Sequence, residues 1–228
     1  MSKINKQLQN TPNTLLQLKN KQEKIVVLTC YDYSTAKCID ESGDIDCILV
    51  GDSLGMVMLG YADTTQVTMA DMLHHTKAVK RGTKQALLVA DMPYGSVTIS
   101  QADALKNMQC LIAEGGAQAV KIEGASAYLC EVIRHATEHG IPVMGHLGFT
   151  PQSVQALGGY KVQGKTIEQA QKLLDDALAL QRAGAFAIVL EMVPSQVASW
   201  ISELLTIPTI GIGAGVGCDG QVLVIDDM

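Results

Sequence analysis

Four acidic residues stand where apolar runs give way to loops. Asp52 follows Cys47–Val50 through Gly51, Asp91 ends ALLVAD, Glu123 ends AVKIE and Glu191 ends FAIVLE. A carboxylate at the end of a buried strand is poorly placed to be an ordinary solvated charge. If such strands run parallel, their carboxylates converge on one point. Lys121 and Glu123 are two residues apart on one strand, so their side chains point the same way. Asp32, His146 and Asp226 occupy comparable positions and complete the candidates. Massed carboxylates repel one another unless a cation is present, and one lysine cannot neutralise the other acids. Hard oxygen ligands, without paired histidines or cysteines, select Mg²⁺ or Mn²⁺ over zinc. Taken singly, each acid could equally cap a strand or a helix N-terminus. That explanation weakens for Asp52, Asp91, Glu123 and Glu191 together.

The elements that would position these residues are legible as a repeating pattern. Apolar runs at 24–30, 47–50, 86–90, 119–122, 142–145, 186–190, 208–212 and 221–225 read as strands. Amphipathic stretches lie between them. A helix over 14–22 carries Leu15, Leu16 and Leu18. Thr68 with Asp71 has the capping-box spacing, and Ser100 with Asp103 caps the helix after the third strand. Gly82, Gly115–Gly116, Gly140 and Gly184 stop helices, and the longest helix is expected over 166–183. Residues 1–10 are polar and expected to fray. Residues 55–67 are expected to form a loop long enough to reach over a site.

Strands apolar throughout, alternating with amphipathic helices, indicate a parallel sheet covered by helices. Eight of them in 228 residues predict one (β/α)8 TIM barrel domain over residues 1–228, with the N-terminal helix preceding it. A doubly wound open sheet is the alternative, but it would gather catalytic residues at one switch point. The sequence stops just after the eighth strand, so a truncated C-terminal end without a closing eighth helix is expected.

Composition narrows the function. A hydrophobic content of 47% suits a full core. A net charge of −6 disfavours nucleic acid or an anionic membrane as partner. No run approaches a membrane span, and the N-terminus lacks an apolar signal core. The six cysteines form no C-x-x-C pair and several lie in apolar runs, as reduced thiols of a cytoplasmic protein would. Other signals carry less. His135 and His139 are spaced as helical zinc ligands but lie opposite Val132, Ile133 and Ala136, on a solvated face with no third ligand. Gly211, Gly213 and Gly215 lack the completion and following helix of a dinucleotide loop. His74 and His75 receive no role.

Seven ordered stretches carry a resemblance: VGDSLGM (50–56), ADMPY (90–94), VKIEG (120–124), GHLGFTPQS (145–153), GGYKVQG (158–164), LEMVP (190–194) and IGIGAG (210–215). Together they resemble the ketopantoate hydroxymethyltransferase family, from about Lys24 to Asp226. The resemblance implies a barrel of the phosphoenolpyruvate/pyruvate type, a homodecamer, and members continuing past the position of Met228. It implies Mg²⁺ on Asp52, Asp91 and Glu123. It also implies that Asp52, Ser53, Asp91, Lys121 and His146 meet the substrate, 3-methyl-2-oxobutanoate, and that Glu191 is the base. The implied reaction passes through a Mg-stabilised enolate. The enolate takes a one-carbon unit from 5,10-methylenetetrahydrofolate to give 2-dehydropantoate, in pantothenate biosynthesis. Leu190, Met192 and Val193 flank Glu191 and are expected to raise its basicity. Two alternatives remain: another metal-dependent 2-oxo acid lyase or mutase of the same barrel type, and a non-catalytic homologue. GGYKVQG and GHLGFTPQS match the transferase. Retention of Asp52, Asp91, Lys121 and Glu191 speaks against loss of catalysis.

Overall fold

The apolar runs pair side by side in chain order and close on themselves in the computed structural model, which describes residues 9–228. The strands are β1 (Ile25–Thr29), β2 (Cys47–Val50), β3 (Leu87–Asp91), β4 (Ala119–Glu123), β5 (Val143–Gly148), β6 (Ala187–Glu191), β7 (Thr209–Ile212) and β8 (Gly220–Leu223). All neighbours are parallel, and β8 returns to β1. The helices are α1 (Pro12–Lys21), α2 (Tyr33–Ser42), α3 (Leu54–Val57), α4 (Met69–Gly82), α5 (Gln101–Gln109), α6 (Ala127–Glu138), α7 (Val154–Leu157), α8 (Ile167–Arg182) and α9 (Ser195–Leu204). The open-sheet alternative is excluded by the β1–β8 pairing.

The strand pleat divides the apolar residues between two cores. Inward residues such as Val27, Leu49, Val89, Met144 and Val189 fill the barrel. Leu15 of α1 joins them from below, so the N-terminal helix plugs the bottom. Outward residues such as Ile48, Leu88, Val120 and Ile188 meet Met72, Met108, Val132 and Leu180 of the surrounding helices. Among the described residues no helix covers the outer face of β8, where Leu223 is exposed.

Several local expectations hold for the anticipated reasons. Thr68 and Asp71 form a reciprocal capping box on α4, and Ser100 caps α5. Others are corrected. Of the segment expected to fray, residues 1–8 lie outside the described residues. Gln9 and Asn10 are tied down, with the Asn10 N–H donating to Gln85 O at 2.7 Å and Gln9 Nε2 to Ala86 O at 3.0 Å. The stretch 55–67 is not a plain loop. It begins inside α3 and holds a 3₁₀ turn, Thr64–Gln66. The helix begun by α5 ends in a wide π turn, Cys110–Glu114. A Cβ on Gly115 would lie 2.4 Å from Leu111 O and 3.0 Å from Thr76 Cγ2 of α4, so only glycine permits this approach. The last strand is shorter than the apolar run, because 225–227 curls into a 3₁₀ turn whose Ile225 N–H donates to Thr29 Oγ1.

Asp40 of α2 is an unforeseen anchor. Its buried carboxylate accepts the backbone N–H groups of Lys84, Gln85 and Ala86 at the entry to β3. Asp40→Ala would strand three amides and is expected to lower stability by about 3 kcal/mol. Urea unfolding would show a lower midpoint at unchanged slope.

Candidate active site

Pleat and register decide which side chains meet at the barrel mouth. Asp91, Glu123 and Glu191 are the last residues of β3, β4 and β6 rather than the first of their loops. Each therefore continues an inward-facing series: Leu87, Val89 and Asp91; Ala119, Lys121 and Glu123; Ala187, Val189 and Glu191. The inner positions are apolar below and charged above. Asp91 sits opposite Lys121, and Glu123 opposite His146, in the strand register.

These groups line a cavity of about 100 Å³ together with Asp52 and Ser53. Its remaining wall includes Leu49, Val189, Ile212 and Val222. Lys121 Nζ lies 3.2 Å from Asp91 Oδ1 and 3.2 Å from His146 Nδ1. His146 Nδ1 is 3.4 Å from Glu123 Oε1, and its Nε2 is 3.2 Å from Glu191 Oε2. The Asp52 N–H donates to Asp91 Oδ2 at 3.0 Å. Asp32 and Asp226 stay outside. Asp32 caps α2 through the N–H groups of Ser34 and Thr35, and Asp226 is exposed on the terminal turn.

Burial and mutual repulsion set the charges here. Desolvation, then the Asp91 and Glu123 carboxylates, push the Asp52 carboxyl up to about 8. Asp91 is also raised by burial, against the pull of Lys121. Burial opposes the Lys121 ammonium, but Asp91, Glu123 and Asp52 overcome it and hold its pKa above the usual lysine range. Burial works against a charge on Glu123 as well, yet His146 and Lys121 bring its pKa below the ordinary value. Burial and Lys121 disfavour a charge on His146. The carboxylates of Glu123 and Glu191 outweigh both and raise it to about 9. The ring is thus held as an imidazolium between two carboxylates. A protonated Nδ1 cannot accept from Lys121, so their 3.2 Å approach is proximity rather than attraction.

Four acidic side chains then face Lys121 and His146 around one cavity. Asp91 Oδ1 and Glu123 Oε1 are buried acceptors with no aligned hydrogen-bond partner. These open acceptors fit a hard divalent cation, whose charge would relieve the repulsion that raises the Asp52 carboxyl. Among the described residues no three His, Cys, Asp or Glu side chains already surround one point. Asp52 and Asp91 could hold such a cation directly, with water and substrate completing the shell, as Mg²⁺ favours.

The setting of Glu191 differs from the one expected. Leu190 and Val193 pack outward against the helices, so they do not surround the carboxylate. Chain neighbours on a strand face opposite ways, and His146 is the group that Glu191 meets. Its backbone is clamped. The Phe149 N–H donates to Glu191 O at 2.8 Å, and Met192 beside it takes a left-handed φ of 49°, an uncommon conformation for a non-glycine residue. Gly148 makes the clamp possible: at φ 92°, a Cβ there would lie 2.2 Å from Glu191 O. Gly148→Ala is expected to cost about 2 kcal/mol or more through strain and clash. Displacing Glu191 should also lower turnover by about 10²-fold. Urea unfolding and steady-state rates check both.

Three contacts were not foreseen. The Tyr31 hydroxyl pairs with Ser53 Oγ at 2.7 Å, and His75 Nδ1–H donates to Tyr31 O at 2.7 Å. Gln152, in the GHLGFTPQS stretch, donates from Nε2 to Asp52 Oδ2 at 2.7 Å. Gln152 lies within one of the seven stretches, whereas Tyr31 and His75 lie outside them all. His135 and His139 stack on a helix face with His139 exposed, as expected. All six cysteines are free, and no helix among the described residues is long and apolar enough to cross a membrane.

Comparison with known proteins agrees with this architecture. The family model for ketopantoate hydroxymethyltransferase matches residues 9–228. The 3-methyl-2-oxobutanoate hydroxymethyltransferase of Clostridium novyi (strain NT) is 58% identical over 221 residues, covering 97% of this chain and 80% of the relative. Among solved structures, a phosphonopyruvate hydrolase in complex with oxalate and Mg²⁺ superposes with a TM-score of 0.69 at 13% identity, covering 96% of this chain and 81% of that one. A 2,3-dimethylmalate lyase of the PEP mutase/isocitrate lyase superfamily gives 0.67 at 17% identity, covering 94% and 78%. These two likenesses concern the fold alone. The family match over residues 9–228 and the high identity place the chain: it belongs to the ketopantoate hydroxymethyltransferase family and is a transferase enzyme on a (β/α)8 barrel.

Proposed function

We propose that this chain transfers a one-carbon unit from 5,10-methylenetetrahydrofolate to 3-methyl-2-oxobutanoate, with Mg²⁺ as cofactor, giving 2-dehydropantoate and tetrahydrofolate. The observation that carries this reading is the convergence of Asp52, Asp91, Glu123 and Glu191 with Lys121 and His146 on one small cavity. Polar groups meet an apolar wall of Leu49, Val189, Ile212 and Val222 there, which suits a small 2-oxo acid with a branched apolar carbon.

Asp52 and Asp91 would hold the cation, with Glu123 close by. When bound, Mg²⁺ supplies Lewis-acid polarisation of the substrate's oxygens, which makes the C3–H more acidic. Ser53 and Lys121 bind the carboxylate and carbonyl of the oxo acid. Glu191 removes the C3 proton, held in place by the clamp on its backbone and by His146 at 3.2 Å. Lys121 adds a fixed positive charge where negative charge develops. A carbon–carbon bond then forms between C3 and the one-carbon unit. The bonds from that carbon to the folate nitrogens break, and one water supplies the hydroxyl oxygen. By family resemblance, a homodecamer in the cytoplasm is part of the same proposal.

Incubating the protein with Mg²⁺, 3-methyl-2-oxobutanoate and methylenetetrahydrofolate should yield 2-dehydropantoate by mass spectrometry. Folded protein that binds the oxo acid but forms no product would overturn the reading.

A further inference from the structure

Gln152 reaches two buried carboxylates at once. Its Nε2 donates to Asp52 Oδ2 at 2.7 Å and to Met92 O at 2.9 Å, while its main-chain N–H donates to Glu123 Oε2 at 3.0 Å. A peptide carbonyl only accepts, so Met92 O fixes which end of the amide faces inward. Asp52 Oδ2 must then be an acceptor too. The other acids of the cluster each have a cationic neighbour: Asp91 has Lys121, and Glu123 and Glu191 have His146. Among the described residues Asp52 has no ion-pair partner, and the Gln152 amide is the side chain that donates to it.

The position of Gln152 is itself well determined. It sits on the 3₁₀ turn Pro151–Ser153, just beyond β5. Phe149 roots that segment: it is fully buried, lies 4.9 Å from the Tyr160 ring, and its N–H holds Glu191 O at 2.8 Å. The turn is therefore joined to the backbone of Glu191 at one end and to Asp52 at the other.

We infer that Gln152 is a positioning residue that aims Asp52 at a divalent cation without touching the cation itself. This rests on the cation proposed at Asp52 and Asp91. Repulsion from Asp91 and Glu123 would swing an untethered Asp52 carboxylate away from the cavity. Pinning Oδ2 leaves Oδ1 free to face inward. Groups that orient a metal-binding carboxylate in this way typically change metal affinity by about 10–100-fold when removed.

Mn²⁺ titration followed by EPR, without substrate, tests the inference apart from catalysis. Gln152→Leu and Gln152→Met keep bulk and lose the donor. Each is expected to weaken Mn²⁺ binding by about 10–100-fold. Two variants guard against one failing to fold, and unfolding curves identify the folded one. Asn107→Leu is the control, since Asn107 Nδ2 makes a comparable bond to Ser96 O at 2.7 Å and neither residue lines the cavity. Its Mn²⁺ affinity should be native. Affinity within 2-fold of native in a folded Gln152 variant, or an equal loss in Asn107→Leu, would overturn the positioning role. Native protein that binds no Mn²⁺ would overturn the cation reading, and this inference with it.

Discussion

Glu191→Gln is expected to slow proton exchange at C3 of 3-methyl-2-oxobutanoate by about 10²–10⁴-fold while leaving Mn²⁺ affinity at the native level. The amide keeps the size of the carboxylate and its place beside His146 Nε2, 3.2 Å away. It cannot accept the proton. General-base catalysis contributes about 10²–10⁴-fold, so exchange and turnover should fall by that factor. The substrate KM should change little, because Ser53 and Lys121 remain. The cation should bind as before, because Asp52 and Asp91 are untouched. NMR exchange and EPR titration of one preparation separate these effects. Exchange at the native rate would remove Glu191 from the role of base. Lost Mn²⁺ binding would make it a cation-holding residue instead.

Lys121→Met should lower stability strongly, besides removing the charge that Lys121 offers the substrate. Lys121 is 5% exposed and pairs with Asp91 at 3.2 Å. Methionine fills a similar volume, so packing loss is small. The charge loss leaves Asp91 buried without its partner, with Asp52 and Glu123 nearby. Breaking one partner out of a buried pair costs about 3–5 kcal/mol. The pH dependence has a definite sign in metal-free buffer. Asp52 and Asp91 already have raised folded-state pKa values from burial, so the folded form holds their protons more tightly than the unfolded chain. Removing the lysine strengthens that preference. Stability should therefore be recovered at low pH and lost as pH rises through the folded-state values, the reverse of an ordinary salt-bridged aspartate. Urea unfolding at pH 5 and pH 8 would show a larger deficit at pH 8. An equal deficit at both would mean that packing, not charge, is what Lys121 contributes to stability.

The barrel was legible because its physics is local. Runs such as Cys47–Val50 and Leu87–Ala90 are apolar at every position, which only a strand covered on both faces tolerates. The acids were legible because each breaks such a run at its end. Position along a strand also settles direction, so Lys121 and Glu123 could be placed on one side by counting. What stayed hidden depends on contacts across the fold. Gln152 is an ordinary polar residue in a turn until the turn is laid over Asp52, 100 positions away. Asp40 reads as one more polar helix residue until α2 meets the start of β3. The surroundings of Glu191 were misread for the same reason, since the apolar neighbours in sequence face the helices and His146 of β5 faces the carboxylate. Asp32 shows the opposite error, where the plain explanation of a helix cap was right.

The most direct measurement is deuterium exchange at C3 of 3-methyl-2-oxobutanoate in D₂O, followed by proton NMR without any folate. With Mg²⁺ present, the native protein should exchange the C3 proton catalytically, and chelating the metal should stop it. Adding methylenetetrahydrofolate should then convert the same substrate to 2-dehydropantoate. No exchange by folded protein with both Mg²⁺ and the oxo acid bound would contradict the claim that this cluster of carboxylates, lysine and histidine is built to remove that proton.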